Sequence, residues 1–119
     1  RAVRMPDGSY AIADSDGDTE GSYILIRWEG GLGTHAYKSP YANKGTHVHY
    51  LRDAGNNYTC SYNTGDELVA SGGGVTITSM GEDDGFIKGT FTLTPAGYGD
   101  DLKSTANIDG KFRVRKAWQ

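Results

Sequence analysis

A single cysteine, Cys60, stands in 119 residues, so no internal disulfide is available, and no CxxC or paired Cys/His spacing offers a structural zinc site. Cys60 reads as a small apolar residue facing a core. An excess of one charge is missing too: 12 Lys and Arg stand against 15 Asp and Glu, a formal net charge of −3. No general field collects nucleic acid or anionic lipid. The longest aliphatic run is Ile24-Leu25-Ile26, far short of the roughly 18 apolar residues of a bilayer-spanning helix. Leu, Ile, Val and Phe together number only 20, so a core must be completed by rings, and 8 Tyr and 2 Trp supply them.

What is abundant is glycine. The 18 Gly follow no collagen period and lie between short β-branched or aromatic runs, the look of a turn-punctuated β protein. Alternation with period two recurs wherever the chain is apolar, which places one face of each segment on a core. Ile24, Ile26 and Trp28 share one side of Ser22 to Trp28; Val48 and Tyr50 share one side of Thr46 to Leu51; Tyr58, Cys60 and Tyr62 line up in Asn57 to Tyr62. Val75 to Thr78 alternates strictly, and Phe86 to Thr94 sends Ile87, Gly89, Phe91 and Leu93 inward against Lys88, Thr90, Thr92 and Thr94.

Asp109-Gly110 has the composition of a type I′ turn, predicting a hairpin whose return strand buries Phe112, Val114 and Trp118 and leaves Lys111, Arg113 and Arg115 in solvent. Ser71-Gly72-Gly73-Gly74 reads as a flexible hairpin turn, and Ala96 to Asp101 as a loop. The whole chain, 1–119, is expected to form one all-β domain, an antiparallel sandwich or small barrel of about 7–9 short strands. Residues 1–21 are expected to be a polar N-terminal segment, at most an incomplete first strand. Arg1 in place of an initiator Met reads as a removed leader or a truncated chain.

From about Gly33 onward the order of features resembles an uncharacterised family of secreted lipoproteins from Bacteroidota. The resemblance lies in Gly33-Thr34, a Tyr-rich middle, Gly74-Val75-Thr76-Ile77-Thr78, Ile87-Lys88-Gly89-Thr90-Phe91 and Ile108-Asp109-Gly110-Lys111-Phe112. It implies a β-sandwich domain of the cell envelope, periplasmic or on the outer membrane, anchored through a lipidated N-terminal Cys in the precursor, with no established catalytic residues. Family members carry a further apolar, aromatic strand before the stretch equivalent to Ser22 to Trp28. Here that place is short and acidic, so the strand is either lost from this chain or supplied by a neighbouring one.

Candidate chemistry is sparse. Asp14, Asp16, Asp18 and Glu20 place carboxylates at alternate positions of one loop, the donor type that calcium collects. The EF-hand pattern fails, because Thr19 stands where Gly is required and Leu25 where a bidentate Glu is required. A weak calcium site and a solvated acidic turn are the two readings. Glu82-Asp83-Asp84 and Asp100-Asp101 join such a site only if their loops converge. His47 and His49 share a strand face about 7 Å apart, with His35 the only third imidazole, a pattern that fits polar face residues better than zinc.

No Ser or Cys elbow, phosphate-cradling loop or paired carboxylate set is present, so the chain reads as a non-enzyme. The ring surplus points instead to binding of an envelope protein or a glycan, with Tyr37, Tyr41 and Tyr98 favoured because they lie in or beside loops. Two alternatives stand beside it: a structural subunit that completes its sheet with a partner strand, and a small hydrolase with chemistry hidden in loops. Lys111, Arg113, Arg115 and Lys116 gather basic charge near the end of the sequence, as an edge strand protected against aggregation does, or an anion-binding patch.

Overall fold

Extended backbone dominates the computed structural model, which describes residues 1–15, 23–41, 45–53 and 56–118. Eleven strands follow in order among these residues: β1 (Ala2–Arg4), β2 (Ser9–Ser15), β3 (Tyr23–Glu29), β4 (Gly33–Ala36), β5 (His47–Asp53), β6 (Asn56–Thr59), β7 (Ser61–Asn63), β8 (Leu68–Ala70), β9 (Gly72–Met80), β10 (Phe86–Tyr98) and β11 (Ser104–Arg115). Nine of them join one sheet in the order β1-β2-β3-β5-β6-β10-β9-β4, with β11 on the other side of β10; β7 and β8 pair separately. All ladders are antiparallel. The all-β expectation holds. The strand count exceeds it because β1, β4, β7 and β8 are three or four residues long and carry no period-two apolar signature.

Register explains the core. Ile12 lies opposite Ile26, which lies opposite Val48, and Tyr10 lies opposite Trp28, so one face of β2, β3 and β5 is apolar. On the other wing Val75 and Ile77 of β9 share a core with Ile87, Phe91 and Leu93 of β10. The two wings bury these side chains against one another as a small sandwich. Trp28, Ile26, Val48, Val75, Ile87 and Leu93 are fully buried, each worth about 1.5–3 kcal/mol of removal from water. A parallel bridge between Ala2 and Lys116, with the Ala117 amide donating to the Ala2 carbonyl at 2.8 Å, brings β1 to the end of β11.

β10 belongs to both wings. Up to Thr94 it pairs with β9, and at Gly97 it pairs with Thr59 of β6. Pro95 falls at this changeover, where the register with β11 also slips. Its missing N–H therefore breaks no ladder pair, which is how a proline is tolerated inside a long strand. The expected loop from Ala96 is accordingly strand as far as Tyr98.

Two glycine motifs read as turns are strand instead. Asp109 and Gly110 run straight through β11, opposite Thr92 and Phe91. A Cβ on Gly110 would stand 2.5 Å from the Phe91 ring; the glycine makes room for a ring, not for a reversal. Gly72 to Gly74 open β9, and a Cβ on Gly74 would stand 2.5 Å from the His35 carbonyl oxygen. Close backbone approach explains that run.

Asn57 to Tyr62 is broken at Cys60 into β6 and β7. The first 15 residues hold two strands, not a polar tail. Tyr10 and Ile12 are the only large core-facing side chains there, too few to show a period.

Candidate binding face

The outer face of the β10–β11 pair carries a ladder of four cations, one ring and one threonine. Phe86, Lys88 and Thr90 of β10 lie directly opposite Arg115, Arg113 and Lys111 of β11. Their neighbours Ile87, Gly89 and Phe91 point into the core, so period two sends the whole polar set outward. The Arg113 guanidinium lies 3.5 Å from the centre of the Phe86 ring and that of Arg115 lies 4.6 Å from it. Both cations are thereby held over one aromatic surface.

Lys88 pairs with Asp84 at 2.7 Å. Among the described residues Lys111, Arg113 and Arg115 make no ion pair within 4.0 Å. Thr78, Lys88, Gly89, Thr90, Lys111, Phe112 and Arg113 line a shallow depression of about 450 Å³. Asp109, opposite Thr92, ends the row.

A second cluster is buried. The Cys60 sulfur lies 3.1 Å from Nδ1 of His47, and both residues are almost fully covered, as is Tyr37. Burial lowers the His47 pKa to about 4, helped by His49 and Arg27. Burial raises those of the Cys60 thiol and the Tyr37 phenol, the latter also through Cys60. All three groups are therefore neutral near pH 7, and a neutral, sealed thiol is no nucleophile. The Tyr37 hydroxyl has no hydrogen-bond partner among the described residues.

The expected ligand-facing tyrosines do not form one surface. Tyr37 is only 6% exposed; it belongs to the core cluster because residues on both sides of it turn outward instead. Tyr98 is half-buried, its ring 5.1 Å from that of Tyr58, which stacks on Tyr50. Tyr41 alone is open, at 62%. Other rings are spent on structure: Tyr10 packs between Trp28 and Trp118, and the Arg4 guanidinium lies 5.2 Å from the Trp118 ring.

The calcium reading falls largely outside the described residues: Asp16, Asp18 and Glu20 lie there, and Asp14 is placed only as a backbone position in β2. Glu82 to Asp84 and Asp100 to Asp101 flank opposite ends of the thirteen-residue β10 and so do not converge. Among the described residues no three His, Cys, Asp or Glu side chains gather as metal ligands. His47 and His49 have ring centres 6.2 Å apart, but His35 lies on β4, its Nε2 2.8 Å from the Gly31 carbonyl oxygen. Among the described residues no helix is long and apolar enough to cross a membrane.

Comparison with protein-family models, curated proteins and solved structures finds no match in any of the three. Fold and surface together define a small antiparallel β domain with a cationic, ring-clamped outer face.

Proposed function

We propose that this is a non-catalytic binding domain that takes an anionic partner on the outer face of β10 and β11. The observation that carries the reading is the directly opposed pair Lys88–Arg113 in one row with Lys111 and Arg115. Like charges facing each other across strands are destabilising, and Asp84, 2.7 Å from Lys88, offsets this at the Lys88–Arg113 pair. Protection of an edge against aggregation accounts for the basic residues of β11, but not for Lys88, since β10 is covered on both sides by β9 and β11. A row of cations in which Lys111, Arg113 and Arg115 have no ion pair within 4.0 Å among the described residues, lying around a depression, is suited to collecting negative charge.

The cell envelope as its place of action is supported by the resemblance of the chain from about Gly33 onward. Fractionation of cells producing the full-length protein tests that placement, and recovery in the cytosol counts against it. Binding is tested by calorimetry against an anionic polysaccharide and an acidic peptide at two salt concentrations. Binding that weakens with salt and is lost in the double variant K111E/R113E is expected. Absence of binding to either probe, or binding indifferent to that double variant, overturns the reading.

A further inference from the structure

Among the described residues β11 is paired along its length on one side only. Its residues pair with β10 from Ser104 to Arg115, and on the other side the single pair among the described residues is Ala2 with Lys116, just past its end. A twelve-residue edge is thus open, about 40 Å long at the usual rise per residue. Such an edge offers backbone donors and acceptors to any extended chain.

Its two faces differ. On the core side Ala106, Ile108, Phe112 and Val114 are only half-buried, although Ile87, Phe91 and Leu93 of the neighbouring β10 are covered. The sandwich is unfinished along this line. On the outer side stand Lys111, Arg113 and Arg115.

We infer that the anionic partner is an extended peptide segment of another protein, with acidic residues at alternate positions and apolar ones between them, that adds to the open edge of β11 as a further strand. The inference rests on the cationic face being the binding surface and names what binds there. A strand laid along β11 sends successive side chains alternately to the two faces. One set covers Ile108, Phe112 and Val114; the other meets Lys111, Arg113 and Arg115, and opposite charges across strands stabilise the pairing. Main-chain hydrogen bonds supply affinity and the alternate side chains supply selectivity. Pairing of β11 with a second β11 is disfavoured by the same arithmetic of charge, because any register that aligns the cation rows sets like charges together.

The test uses three probes on the full chain: a peptide of about ten residues alternating Val and Glu, a peptide of the same composition with its Val and Glu in two blocks, and an anionic polysaccharide. Calorimetry reads affinity and amide hydrogen exchange reads the edge. The alternating peptide is expected to bind at least about tenfold tighter than the blocked one and to protect amides of β11 from exchange. The variant K111E/R113E is expected to lose it and to bind instead a Val/Lys alternating peptide, which also shows that the variant is folded; should the variant not fold, protection in the wild type decides.

Equal binding of the two Glu peptides, or binding of polysaccharide and peptides alike without protection of β11, overturns strand addition while leaving the cationic face as a binding surface. Absence of binding by all three probes overturns both.

Discussion

The sulfur of Cys60 and Nδ1 of His47, thirteen residues apart in sequence, meet at 3.1 Å inside the protein. Their neutrality has a consequence for acid stability. The His47 pKa, lowered by burial to about 4 from an ordinary 6.5, means that the unfolded chain binds this proton more readily than the folded one. Stability is then full above about pH 6.5 and falls as pH drops toward 4, by up to about 3 kcal/mol over the whole window.

Asp7 and Asp84 act at lower pH, since hydrogen bonds from Ser9 and Lys88 respectively hold their carboxyls below the usual range. Urea denaturation of the wild type and His47→Gln at pH 7 and pH 4.5 separates the contributions. The wild type is expected to lose on the order of 2 kcal/mol between the two and the variant much less. An equal loss in both would locate the acid sensitivity elsewhere.

Tyr37 carries a prediction of unusual sign. Its ring is buried and its hydroxyl has no hydrogen-bond partner among the described residues. A buried hydroxyl without a partner costs about 1–3 kcal/mol of desolvation. Tyr37→Phe is therefore expected to leave stability unchanged or raise it by about 1 kcal/mol, and to leave ligand binding intact. A melting temperature lowered by several degrees would show that the oxygen is bonded after all.

Gly110 tests the reading of Asp109-Gly110 as straight strand. Gly110→Ala pushes a methyl into the Phe91 ring and is expected to cost about 1–3 kcal/mol, as overpacking does. Gly31→Ala meets nothing within 4 Å and is expected to stay within about 0.5 kcal/mol. If both variants melt alike, the glycine serves some need other than the ring.

These positions also show what a sequence reveals. Phe86 to Thr94 and Tyr23 to Trp28 are legible because each has one face more buried than the other, and period two encodes that directly. Glycine was not legible at Gly72 to Gly74 and Gly110, because one residue type serves both reversal of the chain and close approach to a carbonyl or a ring. The Cys60–His47 contact depends on how β5 meets the end of β6, which no local pattern records. The basic residues of β11 were visible as a cluster, but their pairing with Phe86 and Lys88 follows from register alone. Loop-like neighbours point Tyr37 and Tyr98 to the surface, whereas a core poor in aliphatic residues draws such rings inward.

Phe86 links the surface to its proposed work. Its ring lies 3.5 Å from the Arg113 guanidinium and 4.6 Å from that of Arg115, so two long side chains that would otherwise sample many rotamers are held side by side. Ordering them before a ligand arrives spares about 0.5–1.5 kcal/mol for each side chain on binding. Phe86→Leu keeps apolar contact but removes the cation–π attraction, itself about 0.5–1 kcal/mol at exposed sites. The substitution is expected to change stability by no more than about 1 kcal/mol and to weaken binding of the alternating Val/Glu peptide roughly three- to tenfold, with the dependence on salt preserved because the charges remain. Titration of wild type and variant at matched ionic strength measures this, and identical affinities would mean that the ring packs against the two arginines without preparing them for an anion.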